Sequence, residues 1–347
     1  MARTRDTDAY PGALQVHQAA DGAQVRVRLP GGMITAAQLA ELAGMSTAFG
    51  SGMLELTVRG NLQLRAVTDV PAVAEAIAGA GLLPCPKHER VRNIVASPLT
   101  GRTGGRTDVR PWVSALDAAM LHREGGTGGR FWFSIDDGRG DLSGLGANVG
   151  VQDGEDGCAV LPAARDTGLR VTVDDVVPTL LDFARRFHEI RGKVWRINEL
   201  DAIDGLLPGA DVSAYPAVPR TQPPVGWIEP DRPGQEDRVA LGAAVSLGVL
   251  SARVAERSAM HPLPCSGCSN SSTRVRRRRW RCWAARWASS ARRSPNRNSS
   301  TDHAACRIWW CGAAAAAARW RPPPSMRSRA TPNSEPGHTV GSKPRAR

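Results

Sequence analysis

The residues best suited to chemistry are arginines and amides in three short clusters. LTVRGNLQLR at 56–65 sets Arg59 beside Asn61 and Gln63, VRNI at 91–94 sets Arg92 beside Asn93, and RFWF at 130–133 opens on Arg130. A guanidinium stays charged and presents a planar fork of donors that matches a carboxylate or a small oxyanion. Neighbouring amides add donors and acceptors that can orient the same ligand. Spacing alone is equally compatible with arginines solvated on a hairpin, and with Arg130 simply capping an exposed strand.

The surrounding residues predict the elements that position these clusters. QVRVRL at 24–29 alternates as a half-buried strand does, and Pro30-Gly31-Gly32 then turns the chain. Thr35 and Gln38 fit a capping box ahead of Leu39, Leu42 and Met45, which predicts a helix from about Thr35 to Phe49. MLELTV at 53–58 and NLQLRAV at 61–67 predict a hairpin through Arg59-Gly60, and Asp69 caps a second helix that tolerates Pro71 in its first turn. A strand over 92–97 would complete a β-α-β-β-α-β order in the same small sheet, the ferredoxin-like arrangement.

A second block follows, with a helix over 112–121, a strand over 130–136, a Gly-rich loop over 136–150, a helix over 173–192 around Pro178 and another near WRINELDAI. Residues 207–235 are rich in Pro and Gly, the composition of a linker. VALGAAVSLGVLSARVAE at 239–256 then resembles VRVRLPGGMITAAQLAE at 25–41, with Gly248 to Ala252 set against Gly32 to Ala36, so an internal repeat begins. The helix and two strands due next do not follow in sequence.

The formal charge of +12 is unevenly distributed: Met1–Ala252 carry 25 Lys and Arg against 30 Asp and Glu, whereas the rest carries 20 against 3. That last part holds five of the seven Cys and six of the ten Trp, but its only Leu, Ile or Val residues are Val254, Leu263, Val275, Ile308 and Val340. Such a segment has too few core formers to fold by itself. RVRRRRWRCWAARW has the composition of a nucleic-acid arm or of a solvated basic tail. The single lysine of the whole tail, Lys343, together with the tail's Trp and Cys, matches the product of a GC-rich gene read out of frame, and a frame change near codon 256 is the reading favoured. Cys265 and Cys268 near His261 and His303 look zinc-like, but the hydrophobic strand and helix of a zinc finger are missing. With no span-length apolar stretch and only Cys85 and Cys158 before the tail, a cytoplasmic location and no membrane partner are expected.

RLPGGMITAAQL, LTVRGNLQLR, ERVRNIVASPLTGR, FSIDDGRGDLSGLGANVGV and KVWRINEL together resemble the nitrite and sulfite reductase superfamily and, within it, the precorrin-3B synthases. The resemblance covers about Pro11 to Glu256. It implies an α+β fold in which a ferredoxin-like half-domain (11–100) precedes a reductase-type α/β domain (101–206), the linker (207–235), a truncated second repeat (236–256) and an aberrant, disordered tail (257–347).

The implied activity is O2-dependent hydroxylation and lactone formation on precorrin-3A in aerobic cobalamin synthesis. The alternatives are a siroheme-dependent sulfite or nitrite reductase, or a non-catalytic tetrapyrrole-binding remnant. In siroheme reductases the arginines of LT-x-R and RN-h line the tetrapyrrole and anion site. The resemblance therefore implies contacts from Arg59 and Arg92, beside Asn61, Gln63 and Asn93, and from Arg130. Trp132 stands where a K-F-K strand has its second lysine, which speaks against reduction of the small anions. The family's 4Fe–4S cluster is held by C-x5-C and C-x3-C. This chain instead has Cys265-x2-Cys268, Cys282 and Cys306-x4-Cys311, so no cluster or metal ligands are assigned, nor a catalytic residue or iron ligand. Implied partners are precorrin-3A or a small anion and an electron donor such as NADH acting through a reductase, with nucleic acid disfavoured.

Overall fold

The computed structural model describes residues 10–122, 128–200, 205–207, 217–219, 221, 225–228, 231, 240–260 and 307–310. Most of the basic tail, and with it the expectation of disorder and the late cysteines, lies outside the described residues.

The first unit is a five-stranded antiparallel sheet. Its strands are β1 (His17–Ala19), β2 (Gly22–Val27), β3 (Met53–Leu56), β4 (Leu62–Val67) and, from far along the chain, β12 (Val249–Ser251), in the order β1-β2-β4-β3-β12. Period-two alternation sends Val25, Val27, Leu54, Leu62 and Leu64 to one face, where they bury against helices α1 (Ala36–Phe49) and α2 (Val70–Gly79). Both helices start where their caps dictate. Thr35 and Gln38 form the reciprocal capping box, and the Asp69 carboxylate accepts from Ala72 N–H at 3.0 Å. On α1, Leu39 and Leu42 are buried, each contributing roughly 2 kcal/mol by leaving water. The other face of the sheet carries Arg26, Gln63 and Glu55, aligned across β2, β4 and β3 by the register Arg26↔Gln63↔Glu55.

The second unit has strands β5 (Ile94–Ala96), β6 (Phe133–Asp136), β7 (Val149–Gln152), β8 (Cys158–Pro162) and β9 (Arg170–Val171), in that order. The first three are parallel and the last two antiparallel additions. Helices α3 (Arg110–Leu121) and α4 (Val176–Ile190) cover one face around Phe131, Phe133 and Phe187. A third, small sheet joins β10 (Gly226–Ile228), β11 (Ala240–Ala244) and β13 (Arg307–Trp310), so part of the Pro/Gly-rich stretch and a piece of the tail are strand.

Two expectations are corrected. The strand expected over 92–97 does not complete the first sheet. β5 pairs with β6, touching the first unit through the single bridge Gly31↔Val95. All three of its residues are buried, which suits a strand covered on both faces and not one beside a polar face. The helix expected near WRINELDAI is one 3-10 turn, Ile197–Glu199, after which Leu200 is extended; residues 201–204 lie outside the described residues. There the Glu199 carboxylate accepts from Trp195 N–H at 2.8 Å, a local bond that closes a turn in competition with a helix.

β11, β12 and helix α5 (Ala252–Met260) follow the order of β2, the PGG turn and α1. Leu247 and Gly248 take left-handed backbone, φ 54° and 70°, as Gly31 and Gly32 do at 69°. α5 packs on α1, and Leu250, Ala252 and Ala255 enter the first unit's core.

Candidate functional site

Arg59 owes its position to two interlocked turns. Thr57 and Gly60 close the hairpin tip, with Gly60 N–H donating to Thr57 O at 3.0 Å. Gly60 has φ 68°, and a Cβ there would stand 3.0 Å from Gly32 Cα of the PGG turn, so both the backbone and the close approach require glycine. The Arg59 guanidinium crosses to the second unit, Nη1 donating to Gly129 O at 3.2 Å. Asn61 and Asn93 join the units at the same place. Asn61 Oδ1 accepts from Leu29 N–H at 3.0 Å and its Nδ2 donates to Asn93 Oδ1 at 3.3 Å. Asn93 Nδ2 in turn shares its hydrogens among Arg90 O, Gly129 O and Phe131 O.

The remaining expected residues have distinct places. Gln63 Oε1 accepts from Arg26 Nε at 3.0 Å, and its Nε2 donates to Glu55 at 2.6 Å. Arg92 is bidentate to Asp117, Nε at 2.6 Å and Nη2 at 2.7 Å, so both bonds are made inside the second unit. Arg130 is half-buried in the turn before β6 and adds to the positive field at Arg59, as does Arg196.

Sequence reasoning missed the densest part of the site, Arg26 on β2 and Arg28 just past its end. Arg28 is 2% exposed and Arg59 4%. Arg28 donates to Arg90 O at 3.2 Å and Pro11 O at 2.9 Å, while Nη1 of Arg28 and Nη1 of Arg26 are buried without a hydrogen-bond partner. Burial pushes Arg28 down to about 9, with the like charge of Arg26 next in weight, and burial pushes Arg59 to about 10. Among the described residues none of Arg26, Arg28 and Arg59 forms an ion pair. Guanidiniums held by carbonyls and amides, with donors to spare, have the chemistry to receive a carboxylate or a small oxyanion. The alternation QVRVRL was the available signal, because its two arginines fall on the face shared with Gln63.

The described residues do not fit an iron–sulfur cluster. A 4Fe–4S cube takes four thiolates, whereas Cys85 sits in the turn before β5 and Cys158 in β8, and no three metal-ligating side chains converge among the described residues.

Comparison with known proteins gives likenesses in sequence and in fold. Residues 17–80 match the nitrite/sulfite reductase ferredoxin-like half domain. The chain is 34% identical over 107 residues to a chloroplastic ferredoxin–nitrite reductase of Zea mays, covering 29% of this chain and 19% of that enzyme. It is 40% identical over 74 residues to a precorrin-3B synthase of a Sinorhizobium species, covering 21% of this chain and 16% of that protein. These matches span less than a fifth of either relative. The fold is similar to that of the NirA protein of Mycobacterium tuberculosis, with a TM-score of 0.53 at 18% identity over 69% of this chain and 50% of that one. No helix among the described residues is long and apolar enough to cross a membrane. The half domain, the relatives and the fold all liken the chain to the nitrite/sulfite reductase superfamily.

Proposed function

We propose that the chain binds an acid-bearing tetrapyrrole against Arg28 and Arg59, in the manner of an oxidoreductase of the precorrin-3B synthase type acting on precorrin-3A. One observation carries this reading: buried guanidiniums stand together without an ion-pair partner among the described residues, yet keep unused donors. Peripheral carboxylates would supply the missing negative charge, each accepting a forked pair of N–H bonds. Asn61 and Asn93 keep the two units in register, so that Arg59 from one and Arg130 from the other face the same ligand. Trp132, buried beneath Arg59 at 5.7 Å from its guanidinium carbon, contributes an apolar floor that excludes water from the ring. No step through an iron centre or a cluster is assigned to the described residues.

The test is a fluorescence titration with uroporphyrin III, which carries eight carboxylates, and coproporphyrin III, which carries four. The expected order is uroporphyrin the tighter, with Arg28→Ala and Arg59→Ala each weakening it about 10- to 100-fold for the loss of a charge-assisted bond. Equal binding by wild type and the double variant, with circular dichroism unchanged, would refute the proposal. Binding of nitrite or sulfite but of neither porphyrin would favour the reductase alternative.

A further inference from the structure

Tyr10 lies where three guanidiniums meet. Its ring centroid is 4.4 Å from the guanidinium carbon of Arg26, 4.8 Å from that of Arg59 and 5.3 Å from that of Arg28. Three like charges at this spacing repel one another, and burial weakens the screening that would relieve them. The negative face of an aromatic ring offsets such repulsion without consuming a hydrogen bond. A guanidinium held through its face keeps its N–H groups, which lie in its plane, available to an acceptor at its edge.

The backbone fixes the ring there. Segment 10–15 forms a strap over the polar side of β2, with Arg26 N–H donating to Gly12 O at 2.9 Å and Gly12 N–H to Gln15 O at 2.8 Å. The buried Glu89 carboxylate accepts from the N–H groups of Leu14 and Gln15, and Arg28 Nη2 donates to Pro11 O. A Cβ at residue 12 would meet the Glu89 carboxylate at 2.6 Å, so the strap closes against Glu89 because residue 12 is glycine.

We propose that Tyr10 is the positioning residue of this site: its ring orders Arg26, Arg28 and Arg59 so that their edges, including the two orphaned Nη1 groups, converge on the carboxylates of one polyanionic ligand. The ligand class rests on the tetrapyrrole reading above; the ordering of the guanidiniums stands on the ring contacts alone.

Tyr10→Phe keeps the ring, and Tyr10→Leu keeps the bulk without the π face. In the full chain the Phe variant should bind uroporphyrin III within about twofold of wild type, and the Leu variant about tenfold more weakly. The salt dependence should be the same in all three, because the arginines remain. A second measurement needs no tetrapyrrole. Phenylglyoxal should modify the peptides carrying Arg28 and Arg59 faster in the Leu variant than in wild type or the Phe variant. Wild-type affinity in the Leu variant, equal weakening by Phe and Leu, or identical phenylglyoxal rates in all three proteins would overturn the proposal. Failure of wild type to bind any porphyrin would instead remove the ligand class, and the phenylglyoxal rates would still decide the role of Tyr10.

Discussion

Asp141→Asn should abolish a specific fall of stability with rising pH. The loop DDGRGD brings three carboxylates inside the protein, and the donors are unequally shared. Asp136 accepts four backbone N–H groups, from Gly138, Gly140, Leu142 and Ser143, while Arg139 clasps Asp137. Asp141, 1% exposed, is left with the Ser97 hydroxyl on Oδ1 at 2.7 Å, and its Oδ2 has no hydrogen bond, with Arg139 Nε at 3.8 Å. Burial therefore pushes the Asp141 carboxyl from 3.8 up to about 7. The folded chain keeps a proton that the unfolded chain has released, so the folded state is favoured at low pH. It loses about 1.4 kcal/mol per pH unit between roughly pH 4 and 7, and above 7 the loss levels off on the order of 4 kcal/mol. Asparagine has no such ionisation. Urea unfolding of both proteins at pH 5, 6, 7 and 8, followed by tryptophan fluorescence, isolates the effect as the pH-dependent part of their difference. The variant should gain on wild type steadily from pH 5 to 7 and no further by pH 8. A difference that does not change with pH would refute the account of Asp141.

Asp117→Ala should destabilise the chain by about 3 kcal/mol in the same assay, because it strands the buried Arg92, and Asp117→Leu with Arg92→Leu should recover most of the loss. No loss in Asp117→Ala would show that the pair is not what holds α3 to the start of β5. Cys85 should alkylate with iodoacetamide faster than Cys158. The hydrogen bond from His88, at 3.1 Å, lowers the Cys85 thiol, whereas burial raises Cys158 to about 11. His88→Ala should slow Cys85 selectively, as read by peptide mass; an unchanged rate would exclude His88 as the cause.

What was legible in the sequence is what short-range chemistry decides. The Thr35–Gln38 capping box, Asp69 ahead of Pro71 and the hairpin through Gly60 are settled by residues within a few positions of one another, and each stands where the pattern put it. Arg59, Asn61 and Asn93 were legible as a set through their resemblance to known motifs, and the structure brings them to one junction. The burial of Arg28 was not legible, because on a half-buried strand the polar side of QVRVRL reads as solvent. Arg28 is enclosed where Pro11 and Arg90, distant in sequence, supply it with carbonyls. The misplacement of β5 also turns on distance in sequence: the strand that claims it, β6, follows only after α3.

The pairing of β12 with β3 bears on how the chain assembles. Leu250 lies opposite Leu54, nearly two hundred positions earlier, and the whole second unit is spliced into the interval. The entropy of closing so wide a loop rises only with the logarithm of its length, and a spliced-in unit that has already condensed shortens the effective tether. Sheet completion is therefore a late event on the ribosome, waiting for synthesis of residues 249–260, and until then the outer edge of β3 is a bare template for another strand. During that interval the nascent half domain is open to mispairing with a neighbouring chain.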